Sequence, residues 1–136
     1  MSRSGYSDDL DQWALICWRG AVNKAIRGRR GQAFLHELLA ALDSLPAKRL
    51  IAHELKSAEG EVCAIGSVGV RRGIEMSTID PESREQVAET FGIAGALAAE
   101  LAYVNDEVWY GAETPEKRFK RVRAWVVRQL TEATDK

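Results

Sequence analysis

The sequence predicts an all-α protein, a compact single-domain bundle of about six to seven helices, from three observations. Phe34, Leu35, Leu38, Leu39 and Leu42 recur at the spacing that lines one side of a helix. Asp80-Pro81-Glu82 and Thr114-Pro115-Glu116 each set a capping residue, a proline and an acid in the order that starts a helix. Ile93 to Val104 is rich in alanine, which suits closely packed helices. No linker, internal repeat or low-complexity tract divides the chain. One domain over residues 11–132 is therefore expected, with a flexible arm at 1–10 and a flexible end at 133–136.

Taken in order, Asp8, Asp9 and Asp11 offer an acidic start favoured at the positive end of a helix dipole. Trp13, Ile16, Cys17, Val22 and Ile26 then recur at about helical spacing as far as Arg27. Gly28 and Gly31 bracket a basic turn, and the next helix runs from Gln32 to Leu45, stopped by Pro46. Ala47 to Leu55 reads as a short helix with Lys48, Arg49, His53 and Glu54 on one side and Leu50, Ile51 and Leu55 on the other. Val62 to Gly73 reads as a buried helix whose Gly66 and Gly69 permit close backbone approach. Helices from Pro81 to Phe91, from Ile93 to Val104 and from Pro115 to about Glu132 follow, with Asn105-Asp106 opening a loop. Phe119, Val122, Val126 and Leu130 share one face of the last helix.

Composition bounds the function classes. The chain has 136 residues, 46% hydrophobic and 29% charged, with a formal net charge of −1, so no global field attracts nucleic acid or an anionic membrane. No stretch approaches the roughly 20 apolar residues of a membrane span, and Met1 to Leu10 lacks a secretory apolar core. Cys17 and Cys63 both sit in apolar sequence, as buried thiols do, and a reducing cytoplasm is the expected compartment.

Catalytic patterns are missing. His36-Glu37 and His53-Glu54 begin a zinc-protease motif, but its second histidine is replaced by Ala40 and Ser57, so no metal or other cofactor is expected. Gly66-Ser67-Val68-Gly69 lacks the lysine and spacing of a phosphate-binding loop. Cys63 has no base beside it in sequence. An enzyme would need Asp8, Asp9, Asp106 or His53 to converge in one pocket, and a non-enzyme is expected.

Binding is better represented. Lys117, Arg118, Lys120, Arg121, Arg123 and Arg128 load the last helix with cations, several of them in its first turns, where the dipole favours acids. Arg27, Arg29 and Arg30 form a second basic cluster, Arg71 and Arg72 a third. Trp109 and Tyr110, beside Asn105-Asp106-Glu107, are aromatic anchors of the kind that interfaces use. Gln86 to Leu101 has the outline of a helix-turn-helix, but Ala94, Gly95, Ala96 and Leu97 stand where base-reading side chains would be. The expected contact residues are Arg27, Arg29, Arg30, Arg118, Arg121 and Arg128, with Trp109 and Tyr110.

The runs Ser2 to Asp9, Trp18-Arg19-Gly20-Ala21, Arg27 to Leu35, Leu38 to Leu42, Leu45-Pro46, Lys48 to Ala52 and Gly60 to Gly66 resemble an uncharacterised family of small proteins carried by phages and prophages of proteobacteria. The likeness resumes at Phe91-Gly92-Ile93, Asn105-Asp106-Glu107 and Glu113 to Glu116, and Cys63-Ala64-Ile65-Gly66 with Asn105-Asp106 is also similar to a broader set of bacterial domains. The resemblance implies an accessory product acting inside a bacterial cell. The expectation is an interaction protein that binds a bacterial or phage protein and modulates a host process such as defence. A sequence-tolerant nucleic-acid binder is the alternative, and no membrane partner is expected.

Overall fold

The computed structural model of the chain describes residues 3–6, 12–107 and 112–134. Among the described residues six α-helices carry the fold: α1 (Gln12–Arg27), α2 (Arg29–Ser44), α3 (Ala64–Arg72), α4 (Arg84–Phe91), α5 (Gly95–Asp106) and α6 (Pro115–Thr134). A 3-10 turn spans Met76–Thr78, and the described residues contain no strand, only an isolated antiparallel bridge between Lys56 and Val62. The predicted all-α class is the observed one.

α2 packs against α6 and α3, while α5 packs against α1 and α4. Phe34, Leu35, Leu38 and Leu42 of α2 meet Val68, Phe91, Leu97, Leu101, Val122 and Val126 in one buried cluster. Removing each such side chain from water contributes about 1.5–3 kcal/mol, which is why the leucine stripe dictates where α2 sits. The Asp43–Arg123 pair and the Lys48 ammonium over the Phe119 ring place the C-terminal end of α2 beside the first half of α6.

Several local expectations change. Gly28 alone makes the corner between α1 and α2, as the extended N-cap of α2. Gly31 is a buried residue inside α2, because a side chain there would run into the Ala25 carbonyl of α1. The stripe expected on α1 divides in two: Val22 and Ile26 enter the core, whereas Trp13, Ile16 and Cys17 face outward. Residues 47–55 form no helix. The Leu50 and Ile51 N–H groups donate instead to the Pro115 and Val62 carbonyls, so this backbone bridges distant elements and makes no helical ladder.

The chain then turns back, with Ser57 N–H on the Glu61 carbonyl and Cys63 N–H on the Leu55 carbonyl. Gly66 faces that Leu55 carbonyl with no room for a Cβ, the close approach expected of it. α4 starts later than Asp80-Pro81-Glu82 suggests: Ser83 is its cap, accepting from the Gln86 N–H. Asn105 and Asp106 belong to the last turn of α5, where sequence reasoning opens a loop.

The expected flexible arm is corrected in part. Arg3 is 5% exposed and Ser4 0% exposed, so residues 3–6 form a strap against the body. Residues 7–11 and 133–136 of the expected arm and tail fall wholly or partly outside the described residues. Among the described residues no single helix is long and apolar enough to cross a membrane.

Candidate functional site

The basic residues of α6 divide by what they face. Arg121 donates from Nε and Nη2 to Glu113 at 2.7 and 2.9 Å, and reaches the Val104 and Asn105 carbonyls at the end of α5. Arg118 donates to the Leu50 carbonyl at 3.0 Å and lies 3.4 Å from Glu113. The Arg121 hydrogen bonds hold the Glu113 carboxyl below its ordinary range; burial opposes this, and the charges of Arg121, Arg118 and Lys117 reinforce it. These two arginines therefore clasp α6 to α5 and to the Leu50 segment, which leaves their side chains 13% and 20% exposed.

Arg123 is likewise tied to Asp43 at 2.7 Å, and Arg72 to Glu37 at 2.6 Å with its guanidinium over Phe34 and Phe91. What stays outward is a different set. Lys117, Lys120, Ala124 and Arg128 are all exposed at spacings of three and four residues, which makes one stripe along α6. Arg29 and Arg30 are exposed at the start of α2. Arg29, Arg30, Lys120 and Arg128 have no ion-pair partner among the described side chains. Arg27 is exposed in the last turn of α1. Trp109 and Tyr110 lie outside the described residues.

The second constellation is buried. Arg3 donates from Nε and Nη2 to both oxygens of Asp106 at 2.7 and 2.8 Å, and from Nη1 to the Cys63 sulfur at 3.4 Å. Cys63 also caps α3, its sulfur accepting from the Gly66 N–H. Asn105 accepts from the Ala64 N–H and donates to the Ile51 carbonyl and to Asp106. The backbone N–H of His53, a residue at φ 72°, completes the shell of Asp106. Burial alone would raise the Asp106 pKa. The hydrogen bonds and charge of Arg3, with Asn105 and the His53 N–H, outweigh it and leave the carboxyl below its ordinary range.

Beside this knot, Glu100 accepts from the Tyr6 hydroxyl at 2.8 Å and from Arg19 at 2.9 and 3.1 Å. The Tyr6 ring packs on Trp18 and Tyr103 at 5.7 and 5.0 Å between centroids. Sequence neighbours gave Cys63 no cationic companion; the fold supplies Arg3 from sixty residues away. The short motifs around Arg3, Cys63 and Asn105-Asp106 thus meet at one point, a convergence that spacing along the chain does not disclose.

The chemistry available there is limited by access. Cys63 is 0% exposed, and the cavity beside Arg3, Ile65 and Ala98 has about 10 Å³, room for a water at most. Asp106 and His53 do meet, but the Asp106 side chain is 1% exposed and committed to Arg3. No group of three or more His, Cys, Asp or Glu side chains among the described residues is placed to hold a metal ion. A shallow depression between Leu45, Arg49 and Val62 has about 100 Å³ and is lined by Arg49 and Glu61, which pair with each other at 3.0 Å.

The helix-turn-helix outline has a structural counterpart. α4 and α5 meet at 107°, with Gly92 at φ 71° in the corner, an angle such motifs use. α5, however, is the central helix of the core. From Leu97 to Ala102 every residue is buried, and Ala94, Gly95 and Ala96 before them have no side-chain donor for a base edge.

A scan against protein-family models, a search of curated proteins and a search of solved structures found no match for the chain.

Proposed function

We propose that the protein is a small interaction protein that binds an acidic face of a bacterial or phage protein and catalyses no reaction. The observation that carries this is the division among its cations. Most arginines are spent on internal carboxylates, while Arg29, Arg30, Lys120 and Arg128 stay exposed with no described partner, and Lys117 continues the same stripe. Unneutralised charge held on rigid helices favours electrostatic steering and orientation of a partner. A net charge of −1 favours a protein partner over a polyanion, which would be repelled by the remaining surface. Modulation of a host process such as defence is the version suggested by the phage resemblance.

The test is an affinity pull-down from bacterial lysate, with and without nuclease, comparing wild type with Lys120→Glu/Arg128→Glu. Charge reversal at these exposed positions leaves the Glu113 clasp intact, which reversal at Arg118 or Arg121 would not. A protein captured after nuclease treatment and lost with the variant supports the proposal; equal capture by both proteins removes the stripe from consideration.

The second reading, sequence-tolerant nucleic-acid binding, is favoured by the same unpaired cations and by the α4–α5 corner. With α5 buried, such binding would act through phosphates alone. Capture that vanishes with nuclease, and affinity that falls linearly in log–log plots against salt, would establish it.

A further inference from the structure

The strap of residues 3–6 lies on the body in the manner of a bound peptide, with a separate reader for each side chain. Asp106 takes the Arg3 guanidinium through both of its oxygens, and the Cys63 sulfur accepts a third N–H. Glu107 accepts from the Ser4 hydroxyl. Glu100 accepts from the Tyr6 hydroxyl, while Trp18 and Tyr103 flank the ring. Gly5 stands at φ 74°, and a Cβ there would lie 2.9 Å from Nη2 of Arg84, which itself donates to the Ser4 carbonyl at 3.4 Å. Three carboxylates of α5 thus serve one four-residue segment.

From this seat we propose that the groove beside α1 and α5 is a recognition site for a partner protein's segment of the pattern arginine, small residue, glycine, tyrosine, and that the chain's own strap is the competitor that fills it in cis. No strap side chain belongs to the buried apolar cluster, so the core is complete without it. What the strap supplies, the same groups on another chain can supply. The chemistry of replacement is narrow. The Asp106 side chain is 1% exposed, and a carboxylate left there without a counter-charge is strongly penalised, so departure of Arg3 is coupled to arrival of another cation. Asn105 and the His53 N–H fix the Asp106 carboxylate in place. A planar fork of N–H groups meets both of its oxygens at once, which selects a guanidinium over an ammonium.

The strap competes as a tethered ligand. Five residues, 7–11, join Tyr6 to the start of α1. A tether that short gives an effective concentration on the order of millimolar. A free segment making the same contacts is therefore held off at micromolar concentration, and it gains entry as the strap's anchors are weakened. The groove is acidic where the α6 stripe is basic. The two sites take partners of opposite charge, so this inference stands or falls independently of the proposed function, and Lys120→Glu/Arg128→Glu should leave the groove's binding as it is in wild type.

Fluorescence polarisation of a labelled peptide, Ser-Arg-Ser-Gly-Tyr-Ser, titrated with the full chain tests it. Wild type should bind weakly. Tyr6→Ala, which loosens the strap but keeps the Arg3–Asp106 pair, should bind at least ~tenfold more tightly. Arg3→Ala/Tyr6→Ala should bind more tightly still, and adding Asp106→Asn should abolish that binding while the helical circular dichroism is retained, because it removes the buried unpaired charge. A peptide with citrulline in place of arginine should fail against every variant. If the double variant loses its helical signal, Tyr6→Ala alone decides the matter. Binding to Tyr6→Ala no tighter than to wild type overturns the proposal. So does binding that persists with citrulline or with Asp106→Asn, because such binding does not read the guanidinium.

Discussion

Arg3 and Asp106 carry more structural consequence than any other ion pair among the described residues, because their side chains are 3% and 1% exposed. Arg3→Ala leaves a carboxylate buried without its counter-charge, and such losses cost about 3–5 kcal/mol. Chemical denaturation should show that drop, with Arg3→Lys intermediate because an ammonium cannot span both Asp106 oxygens. The pH dependence has a fixed sign. Asp106 and Glu113 titrate below their ordinary carboxylate range in the folded protein, so the unfolded chain binds protons first. Their stabilisation is present above the unfolded values, about 3.9–4.3, and is lost as pH falls through the lower folded values. Melting temperature should be level near neutrality and fall steeply in acid, and Asp106→Asn should lower the neutral plateau and flatten the acid limb. The cysteines separate at this scale too. Cys17 is exposed and Cys63 buried, so one thiol should label quickly in the native state and the second only with denaturant.

At the scale of elements, two glycines that look alike in sequence have opposite duties. Gly20, mid-way along α1, has open space where a Cβ would stand, and Gly20→Ala should stabilise by about 0.5–1 kcal/mol through helix propensity alone. Gly31 lies where α2 crosses α1, its missing Cβ directed at the Ala25 carbonyl, so Gly31→Ala should destabilise despite the same propensity gain. Thermal melts of the two variants moving in opposite directions would verify the crossing; a parallel gain would refute it. α5 makes a similar point about motifs. Its glycine corner and 107° angle belong to the geometry of DNA readers, yet its alanines and leucines are spent on the core, and a helix cannot fill a core and a groove together. The Ala47–Leu55 segment explains why short amphipathic patterns mislead. Its Leu50 and Leu55 are buried as a helix would bury them, but the Leu50 and Ile51 amides serve Pro115 and Val62, and that competition lies outside the local sequence.

For the whole molecule, the strap of residues 3–6 ties the chain's beginning to α5 through Arg3–Asp106, Ser4–Glu107 and Tyr6–Glu100. Deleting residues 1–6 should lower the melting temperature by more than Arg3→Ala does, because Glu100 and the Trp18–Tyr103 face lose their cover as well; a deletion that melts like wild type would show the strap to be dispensable. Charge reversal at Lys120 and Arg128 should leave that melt unchanged while abolishing partner capture, which separates the binding surface from the scaffold. The sequence by itself determined the helical class and the body of each long helix, because burial of apolar stripes at a 3.6-residue period is a local property of the chain. It also located the basic helix and the close backbone approach at Gly66. Only the tertiary structure decided which cations are available. Arg118 and Arg121 differ from Lys120 and Arg128 not in chemistry but in whether Glu113 and the α5 carbonyls lie within reach. It likewise decided that Trp13 faces water, Cys63 faces Arg3, and a polar N-terminal run is fixed in place. Each depends on the approach of residues distant in sequence, and the free energy of pairing a charge or burying a ring is set by those neighbours.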